Sequence, residues 1–276
     1  MSSARYRDHA RLLDELQQIV GAMKNLAFAE LQRLGRTLPA QEVAEQTVLQ
    51  ALADIVVPDM AAAQGRQLWL AIGADRGFCG GFNDHLAAAV LAEHVRTPTA
   101  VWMVAGERLR QRLEDRLPEA TWLPGCAASE EAGLCVDTWL DALLPHLDAP
   151  AAPVFHVLHH NDAGPGARRL LPMPALPAPH TGSPPRRYVA RAVLISGLVS
   201  EMLRVALLGA LYQSLQQENR WRLAQMERAR DHLEESARQL DRDHFRERQA
   251  QITTELETLM SSLDGVQRTL APGARL

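Results

Sequence analysis

The feature that most constrains this chain is a long stretch without proline near its C-terminal end. No proline occurs from Arg191 to Leu270, and the glycines of this stretch stand near its two ends. This stretch predicts one continuous helix on the order of 110 Å long, at 1.5 Å per residue. Since no small globular core encloses such a helix, the 276 residues must combine it with a smaller folded body.

Both ends of the chain carry apolar residues at heptad spacing, four and three residues apart in alternation. Near the N-terminus these are Leu12, Leu16, Ile19, Met23 and Leu26. At the end of the long helix they are Ile252, Leu256, Leu259, Leu263, Val266 and Leu270. Winding the two ends together buries both seams. Because the body between them must bridge the same end of both helices, the pair is predicted to be antiparallel.

The middle of the chain alternates between strand-like and helix-like segments. Strands are predicted over 67–72, 99–104, 121–123, 154–159 and 168–171, with helices over 84–95, 107–116 and 137–147. Asn83 suits the N-cap of the first of these helices. This order predicts a small parallel or mixed sheet covered by helices. The predicted fold class is α/β, a long antiparallel two-helix coiled coil with a small Rossmann-like domain inserted.

Four regions follow from these patterns. Residues 1–57 hold the first coiled-coil helix and, beyond Gly35 and Pro39, a second helix. Residues 66–175 form the α/β domain, and residues 176–190 a proline-rich linker. Residues 191–276 form the long helix. Between Glu218 and Ala250 that helix carries eight Arg and eight acidic residues, a surface for which no partner within the chain is evident.

A glycine-rich turn over 75–83 is the first candidate for a chemical site. It fits neither phosphate-binding pattern, GxGxxG or GxxxxGK[ST], so a structural turn is favoured over a phosphate site. Cys79 beside Arg76 is a conceivable nucleophile, but no histidine or carboxylate partner is assignable. His156, His159 and His160 lack a third-ligand pattern. No catalytic residue, cofactor or metal site is predicted.

Composition excludes several other classes of protein. The net charge of −4 argues against a nucleic-acid-binding protein. The longest apolar stretch, 193–215, is interrupted by Ser200, Glu201 and Arg204, which makes it a poor membrane span. The first eleven residues are polar and hold no apolar core of a secretory signal.

Separated blocks in the chain resemble the gamma subunits of F-type ATP synthases. IVGAMKNLA at 19–27 is similar to the family's N-terminal helix signature, and DRGFCGGFN at 75–83 to its internal DRGLCGGLN turn. Ser214, Leu215, Glu218, Arg222 and Met226 resemble its C-terminal helix, and RQAQITTEL at 248–256 the ending of that helix. The resemblance runs in order along the whole chain.

The resemblance implies a non-catalytic rotor subunit, the central stalk that couples proton or sodium transport to ATP synthesis or hydrolysis. The implied partners are three alpha and three beta subunits in a ring, the epsilon subunit and the membrane c-ring, at the cytoplasmic face of the bacterial inner membrane. Contacts with the alpha/beta ring are implied for Met23, Lys24, Arg222, Met226, Arg248, Gln249, Thr253 and Glu255. A structural corner is implied for Asp75, Arg76, Gly77, Cys79, Gly80, Gly81 and Asn83.

Departures from the family pattern indicate a divergent member. Asp8, His9, Asp14 and Glu15 give a mixed charge to a helix that is usually lysine-rich. This points to a paralogue such as the alternative ATPases that some bacteria carry beside their housekeeping enzyme. Two other functions stay open at this stage: a non-rotary coiled-coil scaffold with a small-molecule-binding α/β domain, and an enzyme built on Cys79.

Overall fold

A computed structural model describes residues 3–55, 65–147, 153–173, 176–180, 186 and 188–270, with side chains between 5 and 260. The chain divides into a smaller unit, Met1–Met23 with Met226–Leu276, and a larger one, Lys24–Gln225. The helices and strands, in chain order, are α1 Ser3–Ala53, β1 Gln67–Ile72, α2 Phe82–Arg96, β2 Val101–Ala105, α3 Glu107–Leu113, β3 Thr121–Leu123, α4 Ala132–Leu147, β4 Val154–Asn161, β5 Gly164–Leu171 and α5 Arg191–Leu270.

A five-stranded mixed sheet forms the centre of the larger unit. Its strand order is β3-β2-β1-β4-β5. The first four strands in this order are parallel, and β5 joins the edge antiparallel to β4. The parallel strands are connected through helices, as crossover connections require. The predicted α/β class with a mixed sheet is confirmed.

Two apolar layers cover the two faces of this sheet. On one face, side chains such as Leu70 and Phe155 pack against α4, the first half of α5 and part of α1, including Leu34 and Leu52. On the other face, Trp69 and Trp102 lie in the layer formed with α2 and α3. The domain is therefore a three-layer arrangement in which the parallel strands β1, β2 and β4 are buried on both sides, as parallel sheets normally are, while β3 at the edge is partly exposed.

The predicted break between two N-terminal helices is wrong, because α1 runs through Pro39 without interruption for 51 residues. A proline in a helix interior costs about 3 kcal/mol. Here the Pro39 ring lies on the exposed side of the helix. Contacts on the opposite side of α1 hold the helix both before and after Pro39. Before it, Leu34 is fully buried, and after it, Gln41 Nε2 donates to the Val205 carbonyl at 2.6 Å. Tertiary packing thus outweighs the preference of proline to end a helix. The predicted end of the second helix, residues 56–57, lies outside the described residues.

In the smaller unit the two chain ends lie side by side. The Tyr6 hydroxyl donates to Asp241 at 2.6 Å, and its ring stacks on His244 at 4.0 Å. Within the larger unit, Gln41 of α1 contacts Val205 of α5, and Arg191 at the start of α5 donates to the carbonyl of Ile55, just past the end of α1. Partners later on α1 are therefore earlier on α5, and the predicted antiparallel pairing is confirmed.

The predicted apolar seam of α1 is not the face that contacts α5. Leu12, Leu16 and Ile19 are exposed by 53%, 38% and 56%. The half-buried positions of α1 in this unit also follow heptad spacing, but each lies one residue after the predicted seam. They are Tyr6, Ala10, Leu13, Gln17 and Val20. The helix thus has two apolar faces here, and the more apolar one faces away from α5.

The charged middle of α5 also has more in-chain partners than predicted. Glu218 and Arg222 are buried in the larger unit. In the smaller unit Met226 is buried, while Ala229, Leu233 and Leu240 are half-buried. From residue 251 to 260 every side chain is exposed. Over 251–260 the helix is therefore exposed on all its faces. The side chains of Leu263, Val266 and Leu270 lie outside the described residues.

One helix in the described part of the chain, α5, has the length and apolar composition of a membrane span. Core helices of globular proteins meet the same criterion. Several of its apolar residues, including Leu207 and Leu211, pack in the core of the larger unit. Its apolar composition therefore has a packing explanation.

Candidate functional site

The glycine turn leaves the end of β1 and enters α2 with an unusual backbone. Phe78 has a positive φ of 62° and Gly80 one of 55°. A left-handed phenylalanine is rare, because its Cβ crowds the backbone. The Phe78 ring is 64% exposed. Burial of its own ring therefore does not explain this conformation, and contacts from the rest of the turn must hold it.

Side chains within the turn supply those contacts. Asn83 Oδ1 accepts from the Ala74 backbone N–H at 3.0 Å, and its Nδ2 donates to Cys79 Sγ at 3.5 Å. Asp75 Oδ1 accepts from the Glu107 N–H at 3.2 Å, which joins the turn to the start of α3. The prediction that Asn83 caps α2 is wrong: Gly81 is the N-cap residue, and it makes no side-chain capping bond. Asn83 instead ties the turn to the end of β1.

The long helix α5 clamps the turn with a buried ion pair. Arg222 is hydrogen-bonded to Glu218 one turn earlier and to Asn219 Oδ1 at 2.8 Å. Its Nε also donates to the Gly77 carbonyl at 3.3 Å. The side chains of Arg222 and Glu218 are only 7% and 3% exposed. Burial raises the pKa of the Glu218 carboxyl, although Arg222 acts in the opposite direction.

Aromatic rings close the turn from two other sides. Phe82 is fully buried and stacks on His160 at 4.1 Å, and His160 Nε2 is bonded to the Phe82 carbonyl oxygen at 2.8 Å. Trp221 of α5 packs against the same small cluster of Ala74, Cys79 and Phe82. The turn is thus fixed by β1, α3, β4 and α5 together.

Cys79 lacks the surroundings of a catalytic nucleophile. Burial, followed by the nearby Glu218 charge, raises its pKa to about 11, although Arg222 and Arg108 favour the thiolate. The thiol contacts Asn83 and the Arg76 carbonyl, neither of which is a general base. Because the thiolate is the reactive form, the structure gives the hypothesis of an enzyme built on Cys79 no support.

The histidines of β4 are packing residues. His159 and His160 are 3% and 2% exposed, and burial lowers the pKa of both. His159 Nε2 is bonded to Gln213 of α5 at 3.0 Å. Within the described residues, no group of three His, Cys, Asp or Glu side chains is placed to hold a metal ion.

The residues predicted to contact a surrounding ring fall into two groups. Arg248, Gln249, Thr253 and Glu255 are exposed on the distal part of α5. Arg222 and Met226 are buried, and Met23 and Lys24 are half-buried. The structure therefore brings Arg222 together with the glycine turn, a proximity that sequence spacing alone did not reveal.

Three residues of the clamp, the group of side chains from α5 and β4 that hold the glycine turn, were not predicted from the sequence: Asn219, Trp221 and His160. A signal for the buried pair did exist, since Glu218 and Arg222 are four residues apart and share one helix face. Their burial was not readable, because the same spacing is common on solvated helices. His160 enters only through the pairing of β4 with the rest of the sheet.

Comparison with known proteins gives a consistent result. The sequence profile of a family described as ATP synthase matches residues 3–265. A similar curated protein is the ATP synthase gamma chain of Granulibacter bethesdensis, 28% identical over 289 residues, covering 91% of this chain and 94% of that one.

Solved structures with a similar fold come from two mitochondrial ATP synthases. A chain in the Euglena gracilis enzyme (OSCP/F1/c-ring, rotational state 3) has a TM-score of 0.63 at 15% identity, covering 99% of this chain and 97% of that chain. A chain in the rotor of the same enzyme (rotational state 1) has a TM-score of 0.58 at 14% identity, covering 90% and 98%. A chain in the Tetrahymena thermophila central stalk/c-ring structure has a TM-score of 0.55 at 16% identity, covering 76% and 99%.

Proposed function

The chain belongs to the ATP synthase gamma-chain family, and from this premise we propose that it is the central-stalk rotor subunit of a rotary F-type ATPase. The observation that carries the proposal is the family match over residues 3–265, which includes both long helices and the α/β domain between them. A rotor needs a stiff element that reaches into the catalytic ring and a body that the membrane part can turn. The paired helices and the three-layer domain supply these two parts.

The proposed catalytic partners are three alpha and three beta subunits. They would surround the distal part of α5 and the outward apolar face of α1, which carries Leu12, Leu16 and Ile19. Leucines this exposed along one helix face are typical of a surface that another chain covers. This face can fill the space inside a ring without disturbing the contacts between α1 and α5.

Charged contacts with the ring are proposed for the exposed residues Arg248, Gln249, Thr253 and Glu255. Arginine and glutamine form hydrogen bonds that can be exchanged as a shaft turns. Met23, Lys24, Arg222 and Met226 are also proposed contact residues from the family pattern. For Arg222, the burial described above favours an indirect role, in which it holds the glycine turn and the helix together.

The remaining partners belong to the membrane side. We place the α/β domain against the epsilon subunit and the membrane c-ring, with the complex peripheral to the cytoplasmic face of the bacterial inner membrane. The chain itself performs no chemistry in this proposal, since ATP is handled by the ring and the ion by the membrane part. Whether the ion is a proton or sodium is decided in the c-ring and not in the shaft.

Co-purification with the cognate alpha and beta chains tests the proposal. The full chain should elute with three copies of each and raise their ATPase activity above that of alpha and beta alone. Replacing both Arg248 and Gln249 by Leu should weaken assembly or the coupling of ATP hydrolysis to ion transport. The matched control is the pair Arg238→Leu and Gln239→Leu, also exposed on α5 but outside the proposed contacts.

A chain that forms a stable homodimer and ignores alpha and beta would refute the rotor proposal. It would favour instead a non-rotary coiled-coil scaffold. Equal effects of the two double variants would show that general surface properties, and not the proposed contacts, determine assembly.

A further inference from the structure

Two cysteines of the larger unit lie together where β3 leads into α4. Cys126 follows β3, and Cys135 lies near the start of α4. Cys126 is buried, Cys135 is half-buried, and both are free thiols. Cys126 belongs to the apolar layer that α4 and α5 form on the sheet, and Cys135 packs against that layer.

The two thiols are in direct contact. The Cys126 S–H has two acceptors within reach, the Cys135 sulfur and the Ala128 carbonyl at 3.0 Å. The Cys135 thiol also contacts the Gly125 carbonyl at 3.5 Å, in the peptide bond that leads into Cys126. Two thiols in contact across a short turn are the starting geometry of a disulfide, which joins Cα atoms roughly 4.4–6.8 Å apart.

The turn that brings the sulfurs together is fixed by its surroundings. The Trp139 indole N–H, one turn after Cys135 on α4, donates to the Pro124 carbonyl at 2.9 Å. The Ser129 N–H donates to the Glu30 carboxylate of α1 at 2.6 Å. The contact between the thiols is therefore set by packing of β3, α4 and α1.

The two thiols have different surroundings, which gives them different roles. Cys135 is partly exposed, so a small solute can reach its sulfur, whereas Cys126 is only 2% exposed. Burial raises the pKa of Cys135, while the hydrogen bond from Cys126 acts in the opposite direction. Burial and the neighbouring Cys135 both raise the pKa of Cys126. Because the thiolate is the reactive form, Cys135 is the thiol that reacts first.

We propose that Cys126 and Cys135 form a reversible disulfide when the chain meets hydrogen peroxide. The Cys135 thiolate attacks one peroxide oxygen, the O–O bond breaks, and a sulfenic acid and hydroxide result. The Cys126 thiol then attacks the sulfenic sulfur, the S–S bond forms, and the hydroxyl leaves as water with the Cys126 proton. The hydroxide takes the proton that Cys135 released. Two thiols and one peroxide thus give one disulfide and two molecules of water.

The disulfide closes a covalent ring from Cys126 to Cys135. The ring contains Ser129, whose N–H is held by Glu30, so oxidation links this contact with α1 covalently to α4. A cross-link restricts the unfolded chain, and the oxidised chain should therefore be more resistant to urea than the reduced chain. The site is independent of the proposed rotor function, since it uses none of the residues assigned to ring contacts.

Oxidation of the full, folded chain followed by mass spectrometry tests the proposal. The chain is treated with hydrogen peroxide, its remaining thiols are alkylated, and it is cleaved after glutamate, because Glu130 and Glu131 lie between the two cysteines. The fragments that carry Cys126 and Cys135 should stay joined until a reductant separates them. Cys79, which contacts Asn83 and the Arg76 carbonyl, should not enter the link.

Glutathione redox buffers measure how far the fold favours the link. The effective concentration of the two thiols should be at least about tenfold higher in the folded chain than in the chain unfolded in urea, because the fold already holds the sulfurs together. The same factor should appear as the stabilisation of the oxidised over the reduced chain.

Variants separate the two roles. Cys135→Ser should abolish the link, and Cys126→Ser should let a sulfenic acid accumulate on Cys135, where dimedone traps it. Cys79→Ser is the matched control, since it removes the third cysteine and should leave the link and its effective concentration unchanged.

Fragments that separate without a reductant would overturn the proposal, as would a link that joins two chains or includes Cys79. An effective concentration no higher in the folded chain than in urea would also overturn it, because the fold would then oppose the bond. If Cys126→Ser fails to fold, Cys135→Ser against the Cys79→Ser control decides the question.

Discussion

At the scale of single residues, the buried pair Glu218–Arg222 determines how the glycine turn lies against α5. Both side chains are buried, and together they hold the Gly77 carbonyl against α5. A buried ion pair adds little net stability compared with apolar residues of the same size, but removal of one partner leaves an uncompensated charge. The pair therefore fixes the position of the glycine turn more than it stabilises the fold.

Replacing Arg222 by Met should lower the free energy of unfolding by about 3–5 kcal/mol, because the Glu218 carboxyl is left buried without its cation. Urea denaturation of the full chain measures this. Arg246→Met, at a side chain that is 74% exposed, should cost no more than about 1 kcal/mol. The double variant Glu218→Gln with Arg222→Met should be more stable than Arg222→Met alone; equal or lower stability would contradict the uncompensated charge.

Cys79 should be unreactive near neutral pH. With its pKa raised to about 11 from an ordinary 9.0, alkylation by iodoacetamide in the native chain should keep rising up to about pH 11. The unfolded chain should level off near the ordinary value. Peptide-resolved mass spectrometry separates Cys79 from Cys126 and Cys135. A native profile that levels off below pH 9 would contradict this assignment.

The raised pKa of Cys79 also makes the stability of the fold depend on pH. Because the pKa of Cys79 is higher in the folded than in the unfolded state, its contribution to stability is present below pH 9.0 and is lost as the pH rises through about 11. Cys79→Ser should remove this component from the pH dependence of unfolding. The substitution should also leave the ATPase activity of an assembled complex nearly intact, because the thiol performs no chemistry.

At the scale of elements, the sequence predicted the long helix α5 well, but it did not predict the continuity of α1 through Pro39 or the contacts that hold the glycine turn. The absence of proline identified α5 because helix continuity is a local property. The break at Pro39 was wrong because packing of Leu34 and Gln41 against α5 is not visible in the local sequence. The clamp on the glycine turn was missed because it joins residues more than a hundred positions apart, such as Gly77 and Arg222.

Pro39→Ala should stabilise the chain, because alanine restores a backbone donor inside α1 and removes the ring. The expected gain in the free energy of unfolding is about 1–3 kcal/mol. Ala40→Gly, at the neighbouring exposed position, should lose about 1 kcal/mol if the segment is helical. A loss of stability in Pro39→Ala would mean that the packing around α1 depends on the proline.

The two apolar faces of α1 explain why the seam was misplaced by one residue. Periodicity finds apolar faces, but it does not tell which chain covers them. Leu13 faces α5, whereas Leu12 faces away from it. Leu13→Ala should therefore lower the melting temperature of the isolated chain, and Leu12→Ala should leave it nearly unchanged while weakening assembly with alpha and beta. Equal melting temperatures for the two variants would contradict the assignment of faces.

At the scale of the whole molecule, the chain combines two long helices with a sheet domain whose core includes the first part of α5. From residue 251 to residue 260, the last with a described side chain, every side chain of α5 is exposed. In the proposed rotor, this exposed end of α5 would lie inside the ring of alpha and beta subunits. The membrane side would act on the α/β domain, and the glycine-turn clamp would transmit that force to α5.

Rotation of the assembled complex measures this central claim most directly. A bead attached through Leu134→Cys, an exposed position on α4, would report turning of the α/β domain while the alpha and beta subunits are held on a surface. Our account predicts continuous rotation in one direction on addition of ATP. A domain that stays fixed while the assembled ring hydrolyses ATP would contradict it.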